Sequence, residues 1–105
     1  NYPPYDIKKV GDTKYQICVA LAGFGKADIE IKLTDGILSI KSDKDNDSEE
    51  EEVLHRGISY RKFERKFTLA DDIVIQSAKL KDGLLTVELE QIVPEDKKPR
   101  TIEIK

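Results

Sequence analysis

The sequence predicts an all-β chain, an antiparallel β-sandwich followed by an extended C-terminal tail. Apolar residues recur at every second position in several short runs, the spacing that puts alternate side chains on one face of a strand. Two of these runs are split by Asp-Gly pairs, Asp35-Gly36 and Asp82-Gly83, which suit tight hairpin turns. No segment sustains a 3.6-residue period, and short strands joined by such turns pack as facing antiparallel sheets.

In chain order, Tyr15, Ile17, Val19 and Leu21 share one parity, with Cys18, Ala20 and Ala22 on the other. Both faces are apolar or small, which predicts a central strand. Ile29, Ile31 and Leu33 alternate with Glu30, Lys32 and Thr34, the pattern of a strand with one face in water. Leu38 and Ile40 continue beyond the first Asp-Gly turn. Further on, Phe63, Phe67 and Leu69 point inward while Lys62, Glu64 and Lys66 point out. Ala78 and Leu80 lead into the second turn, followed by Leu85, Val87 and Leu89 alternating with Thr86, Glu88 and Glu90.

Two stretches cannot be packed strands. Asp43 to Glu52 holds seven acids in ten residues. From Gln91 onward the chain carries Pro94 and Pro99, with Lys97, Lys98 and Arg100, ahead of an isolated pair, Ile102 and Ile104. Proline fixes φ and removes a donor, so an extended tail, poorly ordered when unbound, is expected.

Bulk composition narrows the function. The chain has 105 residues, room for one domain and one core. Charged residues make up 37% and apolar ones 38%, against roughly a quarter charged in an average domain. A thin two-layer core with a charged exterior follows. A formal net charge of −3 argues against a nucleic-acid binder. No apolar run reaches the length of a membrane span, and no signal peptide is visible. Cys18 is the single cysteine, which excludes an intrachain disulfide and points to a reducing cytoplasm. The sequence starts at Asn1 and contains no methionine, so a trimmed chain or processed fragment is expected.

Catalytic chemistry has little to stand on. Cys18 alternates with Gln16 and Ala20 inside an apolar strand, where a packed, inert thiol is expected. His55 lies beside Arg56 without a general-base partner in the pattern, so a structural or interface role is expected. No phosphate loop, nucleophile elbow or zinc-ligand spacing is present, and no cofactor is expected. The acidic run alternates like a calcium loop through Asp43, Asp45, Asp47, Glu49 and Glu51. Ser48 stands where that loop needs glycine and Leu54 where it needs a bidentate glutamate, so a solvated charge run is expected, with no metal.

Six segments together resemble a known family: Tyr2-Pro-Pro-Tyr-Asp-Ile7, Leu21-Ala-Gly-Phe24, Leu54-His-Arg-Gly-Ile58, Phe63-Glu-Arg-Lys-Phe67, Asp82-Gly-Leu-Leu-Thr-Val87 and Lys98-Pro-Arg-Thr-Ile-Glu-Ile104. In order and spacing they are similar to the small heat shock proteins of the bacterial inclusion-body-binding type. The resemblance implies an immunoglobulin-like sandwich of about seven or eight strands, the α-crystallin domain, over residues 1–90. Residues 91–105 would be its C-terminal extension. It implies an ATP-independent holdase of the stress response, not an enzyme, that binds partly unfolded clients and passes them to ATP-dependent chaperones.

The resemblance also implies sites. Bacterial-type members form homodimers by strand exchange, here through a loop over residues 43–59 whose strand, 54–57, pairs with residues 5–9 of a partner. The implied interface comprises Tyr5, Ile7, Leu54, His55, Arg56 and Arg65, the last at the position of the family's interface arginine. Ile102 and Ile104 match the tail motif that links dimers into higher oligomers. Their implied docking groove is Ile29, Ile31, Leu33, Ala78 and Leu80. In this family the main client-binding segment is N-terminal, so residues 1–105 alone are expected to form dimers with poor holdase activity. Two rivals remain: a monomeric co-chaperone adaptor of the related sandwich type, which would lack the loop and the tail motif, and a ligand-binding sandwich, which 7% aromatic residues serve poorly.

Overall fold

A computed structural model describes residues 2–45, 52–92 and 102–105. Its strands are β1 (Tyr5–Lys9), β2 (Lys14–Ala20), β3 (Glu30–Thr34), β4 (Ile37–Ser42), β5 (Phe63–Thr68), β6 (Ile73–Lys81) and β7 (Leu84–Gln91), with a single 3₁₀ turn at Lys26–Asp28 among the described residues. They form two antiparallel sheets, ordered β1-β2-β7-β6 and β3-β4-β5. The predicted all-β sandwich is the observed fold. β2 lies between β1 and β7, the central place that its two apolar faces predict.

Both Asp-Gly pairs make the turns their residue types allow. Asp35 and Gly36 have φ of 52° and 76°, Asp82 and Gly83 of 54° and 78°. Two successive positive φ values match the right-handed twist of the flanking strands, and aspartate and glycine tolerate them at least cost. A Cβ on Gly83 would also stand 3.2 Å from that of Ala22.

The core is the inner face of both sheets. Ile17 and Val19 of β2, Leu38 and Ile40 of β4, and Leu85, Val87 and Leu89 of β7 are buried, joined by Leu21 and Phe24 beyond β2. The register places Ile17 opposite Val87 and Ile40 opposite Arg65. Leu38 is fully buried among these side chains. Leu38→Ala should therefore destabilise the domain by about 2–5 kcal/mol, the usual cost of a core cavity. Urea unfolding followed by circular dichroism measures it.

One element departs from the sequence pattern. β6 is nine residues long and begins at Ile73, ahead of the expected Ala78–Leu80 stretch. Gln76 is an extra residue in its pairing with β7: Ile75 faces Leu89, and Ser77 already faces Glu88. The bulge reverses parity, so Ile73 and Ile75 before it and Ala78 and Leu80 after it all face inward. A strict period of two cannot join these halves.

Candidate functional site

A two-sheet sandwich has two open sides, and here both carry uncovered apolar surface. On one side, β3 and β6 are the edge strands of their sheets; on the other, β1 and β5 are. Backbone groups along such edges are ready to pair with another chain.

Between β3 and β6 lies a cleft of about 260 Å³ lined by Lys26, Ile29, Ile31, Ala78, Lys79, Leu80 and Leu85. Four of the five residues expected in a docking groove meet here. Leu33 does not. It shares their parity but stands one residue from the end of β3, beside the Asp35–Gly36 turn, and is half exposed past the cleft. Leu85 is the floor residue that sequence reasoning missed, because it looks like ordinary core. Outside the cleft, Lys32 Nζ lies 2.8 Å from Glu30 Oε1 on β3. The Lys32 ammonium, by hydrogen bond and charge, holds the Glu30 carboxyl below its usual range, and the same pair raises Lys32. Glu30's contribution is thus complete above the ordinary carboxylate range and fades as pH falls through its lowered pKa. Both groups are fully exposed, so the pair adds little. Ile102 and Ile104 are exposed in the single chain.

The opposite side presents β1. All five of its residues are exposed, although Tyr5 and Ile7 face inward by register, opposite Val19 and Ile17. Arg65 sits on the inner face of β5 opposite Ile40, and its guanidinium lies 4.9 Å from the centre of the Tyr5 ring. Tyr5 in turn packs edge-on against Phe67, with ring centres 5.2 Å apart. Arg65 Nε is buried with no hydrogen-bond partner among the described residues. A buried donor left unpaired costs about 1–3 kcal/mol, so this atom calls for an acceptor from elsewhere. Tyr5, Ile7 and Arg65 are therefore neighbours.

Leu54, His55 and Arg56 are exposed in the single chain. Residues 54–57 form no strand here. A strand needs an edge to pair with, and the edge implied for this one belongs to a second chain. Most of the acidic run, residues 46–51, lies outside the described residues. Among the described residues, no three His, Cys, Asp or Glu side chains are grouped to hold a metal. Cys18 is buried.

Sequence reasoning missed what holds the base of the loop. Tyr60 packs edge-on against Phe24, with ring centres 5.5 Å apart. Lys44 Nζ stands 4.9 Å from the Tyr60 ring and donates a 3.0 Å hydrogen bond to the Gly23 carbonyl. A Cβ on Gly23 would collide with the Tyr60 hydroxyl. Both ends of the loop are thus fastened to the turn after β2. The only signal in the sequence is Gly23-Phe24 within Leu21-Ala-Gly-Phe24, whose partners far along the chain cannot be read from spacing.

Comparison with known proteins fits this geometry. The chain is 46% identical over 104 residues to the small heat shock protein IbpA of Serratia proteamaculans, covering 99% of this chain and 76% of that protein. It is 44% identical over 103 residues to IbpA of Escherichia coli, covering 98% and 75%. Among solved structures, the small heat shock protein of Synechococcus phage S-ShM2 superposes with a TM-score of 0.74 at 37% identity, over 99% of this chain and all of that one. C-terminally truncated AgsA of Salmonella typhimurium gives 0.73 at 32%, over 99% and 100%. The Hsp20/alpha crystallin family profile matches residues 7–105, and the chain belongs to that family.

Proposed function

We propose that this chain, an ATP-independent holdase chaperone, works as a strand-exchanged homodimer whose C-terminal tail links dimers into larger assemblies. The observation that carries this reading is the pair of open sandwich sides facing two uncovered segments. β1 has a free edge, and residues 54–57 form no strand in the single chain. The β3/β6 cleft is apolar at its floor, and Ile102 and Ile104 are exposed alternate residues that lie in no strand of the single chain. Alternate residues on a strand point the same way, so both isoleucines can enter one groove. Clients are held on apolar surface without catalysis, and ATP-driven chaperones receive them afterwards. A single cysteine without a disulfide partner supports a cytoplasmic setting.

Weak linkage suits a holdase that must open. Burying both isoleucines gains about 3–6 kcal/mol, while immobilising the tail and its partner costs at least about 4. One contact is marginal, and many in a closed shell become strong through effective concentration. Replacing Ile102 and Ile104 by alanine should leave the dimer folded and abolish assembly beyond it. Light scattering coupled to size exclusion measures this, and undiminished oligomers would remove the tail from the mechanism. The function itself is tested by heating an aggregation-prone enzyme with the chain. Weak suppression of turbidity, seen at excess chain and unchanged by ATP, is the expected result, and turbidity equal to that of the client alone at every ratio would refute it.

A further inference from the structure

The chain enters β1 through a short strap, residues 2–4. Pro3 is fully buried, and the Pro4 carbonyl accepts a 3.0 Å hydrogen bond from the Ala20 N–H, so the strap is fastened at its middle and at its end. Its first residue, Tyr2, reaches the exit of the 43–59 loop. The Tyr2 hydroxyl accepts a 3.3 Å hydrogen bond from the Arg61 N–H, and the Arg61 guanidinium lies 4.4 Å from the centre of the Tyr2 ring. The same ring meets Phe63 edge-on, with centres 6.0 Å apart. Phe63 in turn meets Phe24 at 6.0 Å, and Phe24 meets Tyr60. Residues 60–63, where the loop returns to β5, are thus gripped by a row of rings that begins at Tyr2. We propose that this strap couples the receiving edge of β1 to the chain's own loop, so that a strand docking on β1 firms the loop that docks on the partner. The proposal rests on strand exchange at β1 and adds to it a path inside one chain, from Tyr5 back to Tyr2 and across to Arg61.

Three observations carry the coupling. First, the path is short and stiff. Tyr2 stands three residues before Tyr5, the first residue of β1, and the two prolines between them have fixed φ, so a movement of β1 is passed on to Tyr2. Second, β1 has the most to gain from an added strand. It is an edge strand with all five residues exposed, and behind it lies a cleft of about 400 Å³ whose lining includes Ile7, Tyr15, Phe67 and Ile73. Elements with so little packing open at low cost, and docking removes that freedom. Third, one side chain makes both contacts to the loop exit. The Tyr2 ring offers its hydroxyl to the Arg61 backbone and its face to the Arg61 guanidinium, so the two are made or lost together. Coupling of this kind is reciprocal, and a firm loop exit in turn favours an ordered start to β1. In a two-fold dimer each docking event then assists the other.

A synthetic peptide of residues 52–59, added in excess to the full chain diluted to monomers, occupies β1 and leaves the chain's own loop undocked. Hydrogen exchange of residues 60–62, read by mass spectrometry, should then slow about fivefold or more. In Tyr2→Ala the peptide should still protect β1, and the slowing at residues 60–62 should vanish. Sedimentation over a dilution series supplies the second measurement. Tyr2→Ala and Arg61→Ala should each raise the dimer dissociation constant about tenfold, and the double variant should exceed neither, the mark of two groups acting through one contact. Arg61 is exposed, so its variant keeps the core whole. Protected β1 with unchanged exchange at residues 60–62, or slowing that persists in Tyr2→Ala, would overturn the strap and leave strand exchange standing. Additive effects of the two substitutions would also overturn it, making them independent surface contacts. A peptide that protects no part of β1 would overturn both the strap and the exchange on which it rests.

Discussion

Deleting residues 46–59 and joining Asp45 to Tyr60 through a short turn should leave a folded monomer. The fold should survive because β4 and β5 are direct neighbours, with Ser42 opposite Phe63. A short connection suffices where the two strand ends already meet. The fastening at the loop base is kept, since Lys44 and Tyr60 stay on Phe24 and Gly23. The dimer should be lost because the deletion removes the only strand that exchange assigns to β1. An unpaired β1 edge is an aggregation hazard, so the monomer should also precipitate more readily than the parent when concentrated. Sedimentation at low concentration, with circular dichroism to confirm the β-sheet, measures the result. A dimer of unchanged stability would eliminate exchange through this loop.

The next largest effect should come from Arg65→Ala. Surface ion pairs are worth about 0–1 kcal/mol each, and Lys62, 3.8 Å from Asp45, makes a pair of that kind. Arg65 differs in placement. Its side chain is half buried on the inner face, its guanidinium lies over Tyr5, and its Nε has no acceptor among the described residues. Its removal withdraws support from the first residue of β1 and leaves any partner carboxylate uncompensated, at about 3–5 kcal/mol. The dimer dissociation constant should rise by about two orders of magnitude or more. Lys62→Ala and Lys66→Ala should move it less than about fivefold. Arg65→Lys should recover little, because a point charge cannot reproduce a planar group stacked on a ring. Equal dissociation constants for the three alanine variants would make Arg65 an ordinary surface residue.

The strands with one buried face are legible in the sequence because burial imposes a period of two on their residues. β3, β4, β5 and β7 all show it, β2 is marked instead by apolar residues on both faces, and both Asp-Gly turns are marked by residues that accept positive φ. β1 is legible only through family resemblance, since all of its residues are exposed and nothing forces an apolar pattern on it. The first half of β6 is hidden by the bulge at Gln76, which breaks the parity a reader would follow. Ile29, Ile31, Ala78 and Leu80 come together as expected, while Leu33 falls outside, because parity gives the face of a strand but not where a cleft ends. The Lys44–Tyr60–Phe24 cluster joins residues distant in the chain by ring geometry, and no spacing rule records that.

The bulge in β6 also has a meaning for how such chains diverge. Ile73 lines the cleft beside β1 and β5, and Ala78 and Leu80 line the cleft beside β3, so a single strand furnishes walls at both ends of the molecule. Gln76 is the one residue that lets both halves face inward. Losing or gaining a single residue there would turn one half outward and erase one of the two clefts, whereas exchanging Gln76 for another polar residue would erase neither. The length of this strand thus matters more to the two clefts than the identity of residue 76. Relatives that keep both clefts should differ here by substitution, and confine their insertions and deletions to the loops.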